Sequence, residues 1–276
     1  MAKSSALRVE TGQAVDLTKM RSDTTPGFSG TKADGLKRLA ALETRLAELQ
    51  ELLFAAGKSG GTRALLLVLQ GMDTSGKSGT VKHVLGAVSP LGVHYKGFKA
   101  PTPEEKRHGF LWRIRKELPD AGMIGVFDRS HYEDVVTTRV HRLVSKSTIE
   151  RRIEAITSFE AELADKGTTV VKCFLHISYE EQRRRLLARL DDPAKWWKYR
   201  PADVDERELW PDYMSAYADV ISRCASQEAP WQVIPADRKW YRNLAISGLL
   251  VEAMERMSLD YPPPTFDVDA EKKRLA

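Results

Sequence analysis

Only two cysteines, Cys173 and Cys224, occur among 276 residues, and His83, His94, His108 and His176 stand at no metal-ligand spacing from them or from one another. A disulfide framework and a zinc site are therefore not expected. No apolar run approaches the roughly eighteen residues that a membrane span requires, and Met1-Ala-Lys-Ser-Ser leads into no secretory apolar segment. A soluble, cytoplasmic chain is the expectation, with no membrane partner. No Gly-x-Ser-x-Gly string stands at a strand-to-helix turn, and a thiol–histidine signature and an Asn-Lys-x-Asp base-reading motif are missing, which leaves nucleophilic hydrolysis and the GTPase kind of switch without support.

Charge is nearly balanced over the whole chain, with 43 Lys plus Arg against 38 Asp plus Glu. Its placement says more. Between Arg183 and Arg200 there are seven cations and two acids, so this stretch alone matches the net +5 of the chain and points to an anionic ligand. Residues 1–33 are polar and rich in Gly, Ser and Thr, and read as an arm lying over the body or partly disordered. Leu36, Leu39, Leu42, Leu46, Leu49 and Leu53 recur at helical spacing up to Gly57; this amphipathic helix either packs on the core or forms a dimer seam.

From residue 63 onward, short apolar runs alternate with longer helical patterns, the mark of βαβ units and a mostly parallel sheet. Strands are predicted at Ala64–Leu69, Val93–Phe98, Met123–Phe127, Thr169–Ile177 and Trp231–Ile234, and helices over 77–87, 103–117, 147–166, 179–190, 205–226 and 238–257. Ser178 with Glu181 forms a capping box that starts the Arg-rich helix. The body spans 34–257, and Tyr261-Pro-Pro-Pro-Thr ends regular structure, leaving 258–276 as a tail.

Gly71-Met-Asp-Thr-Ser-Gly76-Lys77-Ser78 fills every fixed position of the phosphate-loop pattern G-x-x-x-x-G-K-[ST] between a predicted strand and a predicted helix. Glycines let backbone N–H groups curl round a phosphate, the helix aims its positive end at the anion, and lysine adds charge. Thr74, Ser75 and Gly79 complete the expected phosphate-binding set. Asp128 follows a buried-strand pattern, the place of a carboxylate delivered to magnesium beside the loop. Asp73 lies within the loop, where a like charge about 4 Å from phosphate costs about 4 kcal/mol at an effective dielectric of 20. Some cation must offset it: magnesium, or manganese in its place, held by Asp73 and Asp128, unless Asp73 points away and caps the loop. Arg185 and Arg189, four apart on a helix, share a face suited to phosphate oxygens, with Lys198 a further phosphate ligand; Arg183 and Arg184 read instead as a solvated face.

These separated motifs, G-x-D-x-x-G-K, Phe127-Asp128-Arg129-Ser130, Trp197-Lys198 and Ala229-Pro-Trp-Gln-Val-Ile-Pro-Ala-Asp-Arg-Lys-Trp240, together resemble the polyphosphate kinase 2 family over roughly 35–257. The resemblance implies a three-layer α/β/α P-loop kinase fold, thymidylate-kinase-like, with a parallel sheet and a helical lid near 183–210. It implies magnesium-dependent exchange of phosphoryl groups between inorganic polyphosphate and adenine, or guanine, nucleotides by a homo-oligomer, a dimer or tetramer. By motif, Asp73 and Asp128 would hold metal, Lys77 would grip the transferred group, Arg129 would steady charge and Arg189 would serve the lid. Lys99, Arg113 and Glu133 fit segments around the acceptor nucleotide, Glu133 as the selecting residue. Arg113 otherwise reads as a surface salt bridge and Glu133 as a helix cap.

Two rivals remain at this level: a P-loop kinase that uses ATP as donor, and a nucleotide-dependent binding module. Trp196, Trp197 and Tyr199 interleave with cations as on a base-stacking platform, but tryptophans beside an arginine helix more often pin a lid, so nucleic acid is not expected as a partner.

Overall fold

The computed structural model describes residues 7–276; the first six residues of the arm lie outside the described residues. Its strands are β1 Arg8–Val9, β2 Ala64–Gln70, β3 Val93–Gly97, β4 Ile124–Asp128, β5 Thr168–His176 and β6 Trp231–Pro235. Its helices are α1 Lys32–Lys58, α2 Lys77–Val84, α3 Trp112–Arg115, α4 Glu133–Val140, α5 Lys146–Asp165, α6 Tyr179–Leu190, α7 Ala202–Glu208, α8 Trp210–Cys224, α9 Lys239–Glu255 and α10 Val268–Leu275.

The strands form one six-stranded sheet in the order β1-β6-β5-β2-β4-β3. All pairings are parallel except that of β1 with β6. Every residue of β2 is buried, as both faces of a parallel sheet must be covered. Leu66 and Val68 point into one core layer with Phe159, Phe174 and Tyr217, while Leu65, Leu67 and Leu69 point into the other with Leu46, Leu53 and Leu250. Helices on both faces make the three-layer α/β/α architecture. The chain runs from β2 toward β3 and β4 on one side, then crosses to β5 and β6 on the other, so a crevice opens at the carboxyl end of β2.

The leucine stripe of α1 goes to the core: Leu39, Leu46, Leu49 and Leu53 are buried, each fully buried leucine contributing about 1.5–3 kcal/mol. Thr31 and Asp34 close a capping box at its start. The arm from residue 7 lies across the body, with Leu7, Val9 and Leu17 buried and the Tyr241 hydroxyl donating to Pro26 O.

Three expectations change. The helix predicted over 103–117 is a 3-10 turn at Glu105–Arg107 followed by the four-residue α3, because Thr102 and Glu105 cap each other and Gly109 interrupts the run. The helix predicted over 205–226 breaks into α7 and α8 at Leu209, where Pro211 cannot donate into a continuing ladder. The tail is not without regular structure: Asp267 caps the exposed helix α10.

Candidate active site

The turn between β2 and α2 is built by backbone shape. Gly71 and Gly76 adopt φ of 141° and 109°, and Thr74 is left-handed at 64°. A Cβ on Gly71 would stand 2.7 Å from Leu175 O, so only glycine fits there. Lys77 is buried and turns its ammonium onto the loop's own carbonyls, Gly71 O at 2.7 Å and Met72 O at 3.3 Å. Burial and the neighbouring Arg129 hold its pKa below the usual lysine value, against the pull of Asp73 and Asp128. The Thr74 and Ser75 hydroxyl oxygens are buried without partners, orphaned acceptors and donors in a loop shaped for an anion.

The end of β4 brings two functional groups to this loop. Asp128 accepts from Ser78 Oγ at 3.1 Å, and Arg129, at φ 66°, donates from Nη2 to Asp73 Oδ1 at 2.7 Å. Left-handed backbone at a non-glycine costs about 1–3 kcal/mol and is held by its surroundings, here in part by the bond from Arg129 N to Leu69 O. Although burial opposes its ionisation, Lys77 and Arg129 hold the Asp73 carboxyl below its ordinary range. The cation that Asp73 was expected to need is thus already present in the protein as Arg129, a pairing between positions 56 apart that loop spacing does not reveal. Asp128 Oδ2 and Ser78 Oγ are hard oxygen donors suited to magnesium, an ion that takes most of its ligands from phosphate and water. No cluster of three His, Cys, Asp or Glu able to hold a metal occurs among the described residues.

Arg185 departs from its expected place on a phosphate. It is buried, and all five guanidinium N–H groups find protein acceptors: Glu181 Oε1, Thr74 O, Ser75 O, Ala236 O and Asp237 O. It braces the phosphate loop from behind and has no donor left for a ligand. Arg189 stays within the lid segment, its Nη1 donating to Lys198 O at 2.8 Å and to Asp203 Oδ2 at 3.3 Å. Lys198 lays its ammonium over the exposed Trp197 ring at 4.8 Å. Arg184 pairs with Glu181 and is otherwise solvated, as expected.

A cavity of about 630 Å³ joins the loop residues Gly71 and Asp73 to the lid residues Arg200, Asp203 and Glu206. Lys99, Arg113, Arg129 and Glu133 all line it. Arg113 is not on the surface: it is buried, donating to Lys99 O at 2.8 Å and to Asp134 at 3.1 Å. Glu133 opens α4 but makes no side-chain cap, accepting instead from Thr137 Oγ1 at 2.8 Å. Phe98, Phe110, Tyr213 and Tyr217 give the cavity its apolar part.

Beneath the turn that carries Arg129 and Glu133 lies a buried polar cluster that the sequence reading missed. Glu160 accepts from His131 Nε2 at 3.2 Å, from the Tyr132 hydroxyl at 2.8 Å and from Lys172 Nζ. Lys172 also donates to Cys224 O at 2.7 Å. Burial opposes the charge on Glu160, yet Lys172 and His131 hold its pKa below the usual glutamate value. A lysine inside the apolar run Val170-Val171-Lys172-Cys173-Phe174 was the available signal.

Residues 30–262 match the model of the family described as polyphosphate kinase 2. An AMP/ADP-polyphosphate phosphotransferase of Meiothermus ruber is 44% identical over 257 residues, which is 93% of this chain and 95% of that protein. An ADP-polyphosphate phosphotransferase of Rhodopseudomonas palustris is 40% identical over 95% of this chain and 93% of its own length. The crystal structure of a polyphosphate kinase 2 from Arthrobacter aurescens superposes with a TM-score of 0.95 at 52% identity, covering 98% of this chain and 94% of that one. With a family model matched over residues 30–262 and likeness over nearly its whole length, the chain belongs to the polyphosphate kinase 2 family.

Proposed function

We propose that this enzyme moves the terminal phosphoryl group of inorganic polyphosphate to AMP or ADP, with guanine nucleotides as further acceptors, and runs in reverse when nucleoside triphosphate is abundant. The observation that carries this reading is that Asp73, Arg129 and Arg200 line one cavity. An oxygen of the acceptor's terminal phosphate attacks the end phosphorus of the chain; one P–O–P bond forms, another breaks, and the chain shortened by one unit leaves with the electron pair. No covalent enzyme intermediate is required.

Catalysis in this reading is positioning and charge neutralisation. Backbone N–H groups of Gly71–Gly79 hold the transferred phosphate, and Lys77 turns from Gly71 O onto it. Asp128 with Ser78, and the remaining oxygen of Asp73, would hold magnesium or manganese, which neutralises phosphate charge when bound. Arg129, released from Asp73, meets charge moving between donor and acceptor. Arg113 and Lys99 border the acceptor phosphates, and Glu133 selects among acceptors. Arg189 and Lys198 act on the donor through the lid. The enzyme works in the cytoplasm as a homodimer or tetramer. Incubating AMP, ADP, GMP and GDP separately with polyphosphate and magnesium, then resolving the nucleotides by chromatography, tests the reading. Phosphorylated products with no other donor support it, and an absolute need for ATP as donor overturns it.

A further inference from the structure

Arg242, in the first turn of α9, has no place in the chemistry above. It is 2% exposed, and among the described residues its guanidinium donates only from Nε and Nη2 to a single acceptor, Asn243 Oδ1, at 3.1 and 2.8 Å. No carboxylate among the described residues bonds to it. Its remaining nitrogen, Nη1, is aimed at the phosphate loop: a Cβ on Gly76 would collide with that atom, and one on Gly79 would stand 3.3 Å from Nη2. Gly76 thus leaves the room that the guanidinium occupies beside the N-terminal turn of α2, with Gly79 in close approach, where the helix end and the loop amides already favour an anion.

A buried guanidinium with only an amide for company is costly in the empty protein. Burial and the neighbouring Arg185 push its pKa down to about 10. Lys239 and Arg184 stand in the same group, and Lys239 is held below its usual value by the partial desolvation of its ammonium and by Arg185, Arg242 and Arg184. Against these four cations stand Glu181, shared by Arg184 and Arg185, and Asp237, which accepts from Ser22 and Ser178. Arg184, Lys239 and Arg242 all lie outside the wall of the acceptor cavity. A donor whose end phosphorus faces the acceptor at Asp73 and Arg129 must leave the loop on the other side, and that is the side where this unpaired charge collects.

We propose that Arg242, with Lys239 beside it, binds the inner phosphates of a linear oligophosphate donor as the chain leaves the phosphate loop across the start of α9. This assignment rests on the polyphosphate reading and adds to it a residue that no loop or lid motif contains. It predicts opposite effects on the empty and the loaded protein. Thermal unfolding of the wild type, Arg242→Met and Lys239→Ala is followed with orthophosphate, tripolyphosphate and long-chain polyphosphate, alongside steady-state kinetics. Without ligand, Arg242→Met melts at or above the wild-type temperature. Its half-saturating tripolyphosphate concentration and its KM for polyphosphate rise about tenfold or more, while the orthophosphate response and the KM for AMP stay within about twofold. Lys239→Ala, on an exposed side chain, shows the same pattern at about threefold.

Equal tripolyphosphate midpoints in wild type and Arg242→Met overturn the assignment while leaving the polyphosphate reading intact. A wild type that neither binds nor uses polyphosphate overturns both. Should Arg242→Met fail to fold, Arg242→Gln and Lys239→Ala carry the test, and wild-type polyphosphate KM in both refutes it.

Discussion

At the scale of single residues, each charged group of the site rests on a partner within the protein. Lys77 rests on Gly71 O, Arg129 on Asp73, and Ser78 on Asp128, so the groups assigned to phosphate are held near their working places by temporary partners. Asp128→Asn keeps the shape and the bond from Ser78 but removes the charge; turnover is expected to fall on the order of a thousandfold, as for loss of one preorganised electrostatic group, with the melting temperature nearly unchanged. Near-wild-type kcat with magnesium contradicts the assignment of Asp128. Lys172→Met strands Glu160 in the interior and is expected to cost about 3–5 kcal/mol by denaturant unfolding, whereas Lys172→Met combined with Glu160→Met regains most of it. A double variant no more stable than the single one contradicts the pairing. The phosphate-loop residues and Asp128 were legible because adjacent sequence fixes their geometry. The partners of Asp73, Arg185 and Lys172 were not, because each comes from a distant segment that only the sheet brings near.

At the scale of elements, the central strands read well because both faces of the sheet are buried there, and unbroken runs such as Ala64-Leu-Leu-Leu-Val-Leu follow directly. Boundaries failed where a capping pair or a proline acts over two or three residues, at Thr102–Glu105 and at Pro211. The two-residue β1 carried no periodicity to read, since its order comes from pairing with β6. The lid segment is tied together by Arg189, which joins α6 to Lys198 O and, by an ion pair at 3.3 Å, to Asp203 on α7. Arg189→Ala is expected to raise the KM for polyphosphate about tenfold, while costing about 1 kcal/mol of stability because Arg200 still pairs with the buried Asp203 at 3.5 Å. Kinetics and urea unfolding of the same variant check it; a large stability loss with unchanged KM makes Arg189 a fold residue only.

At the scale of the whole molecule, three carboxylates, two buried and one partly buried, link α5, α6 and the phosphate loop to their surroundings. Glu160, Asp73 and Glu181 each resist burial and are nevertheless held below their ordinary pKa by Lys172, Lys77 with Arg129, and Arg184 with Arg185. Lowered folded-state values mean that the unfolded chain binds protons first as pH falls. The stability from these groups is therefore complete above the ordinary carboxylate range near pH 4–4.5 and is lost as pH drops through the lower folded-state values. Unfolding free energy is expected to decline steeply below about pH 4.5. Glu160→Gln combined with Lys172→Met should make that decline shallower, and an unchanged slope contradicts the linkage.

The central claim is that the phosphate loop, Asp128 and the lid serve transfer from polyphosphate to a nucleotide. The most direct measurement supplies purified enzyme with ADP, polyphosphate and magnesium as the only phosphorus compounds and follows ATP. The account predicts many ATP molecules per enzyme molecule, matched by loss of chain phosphate, abolished by chelation and slowed on the order of a thousandfold in Asp128→Asn. ATP formed at full rate without any divalent ion, or no ATP while another donor is used readily, contradicts it.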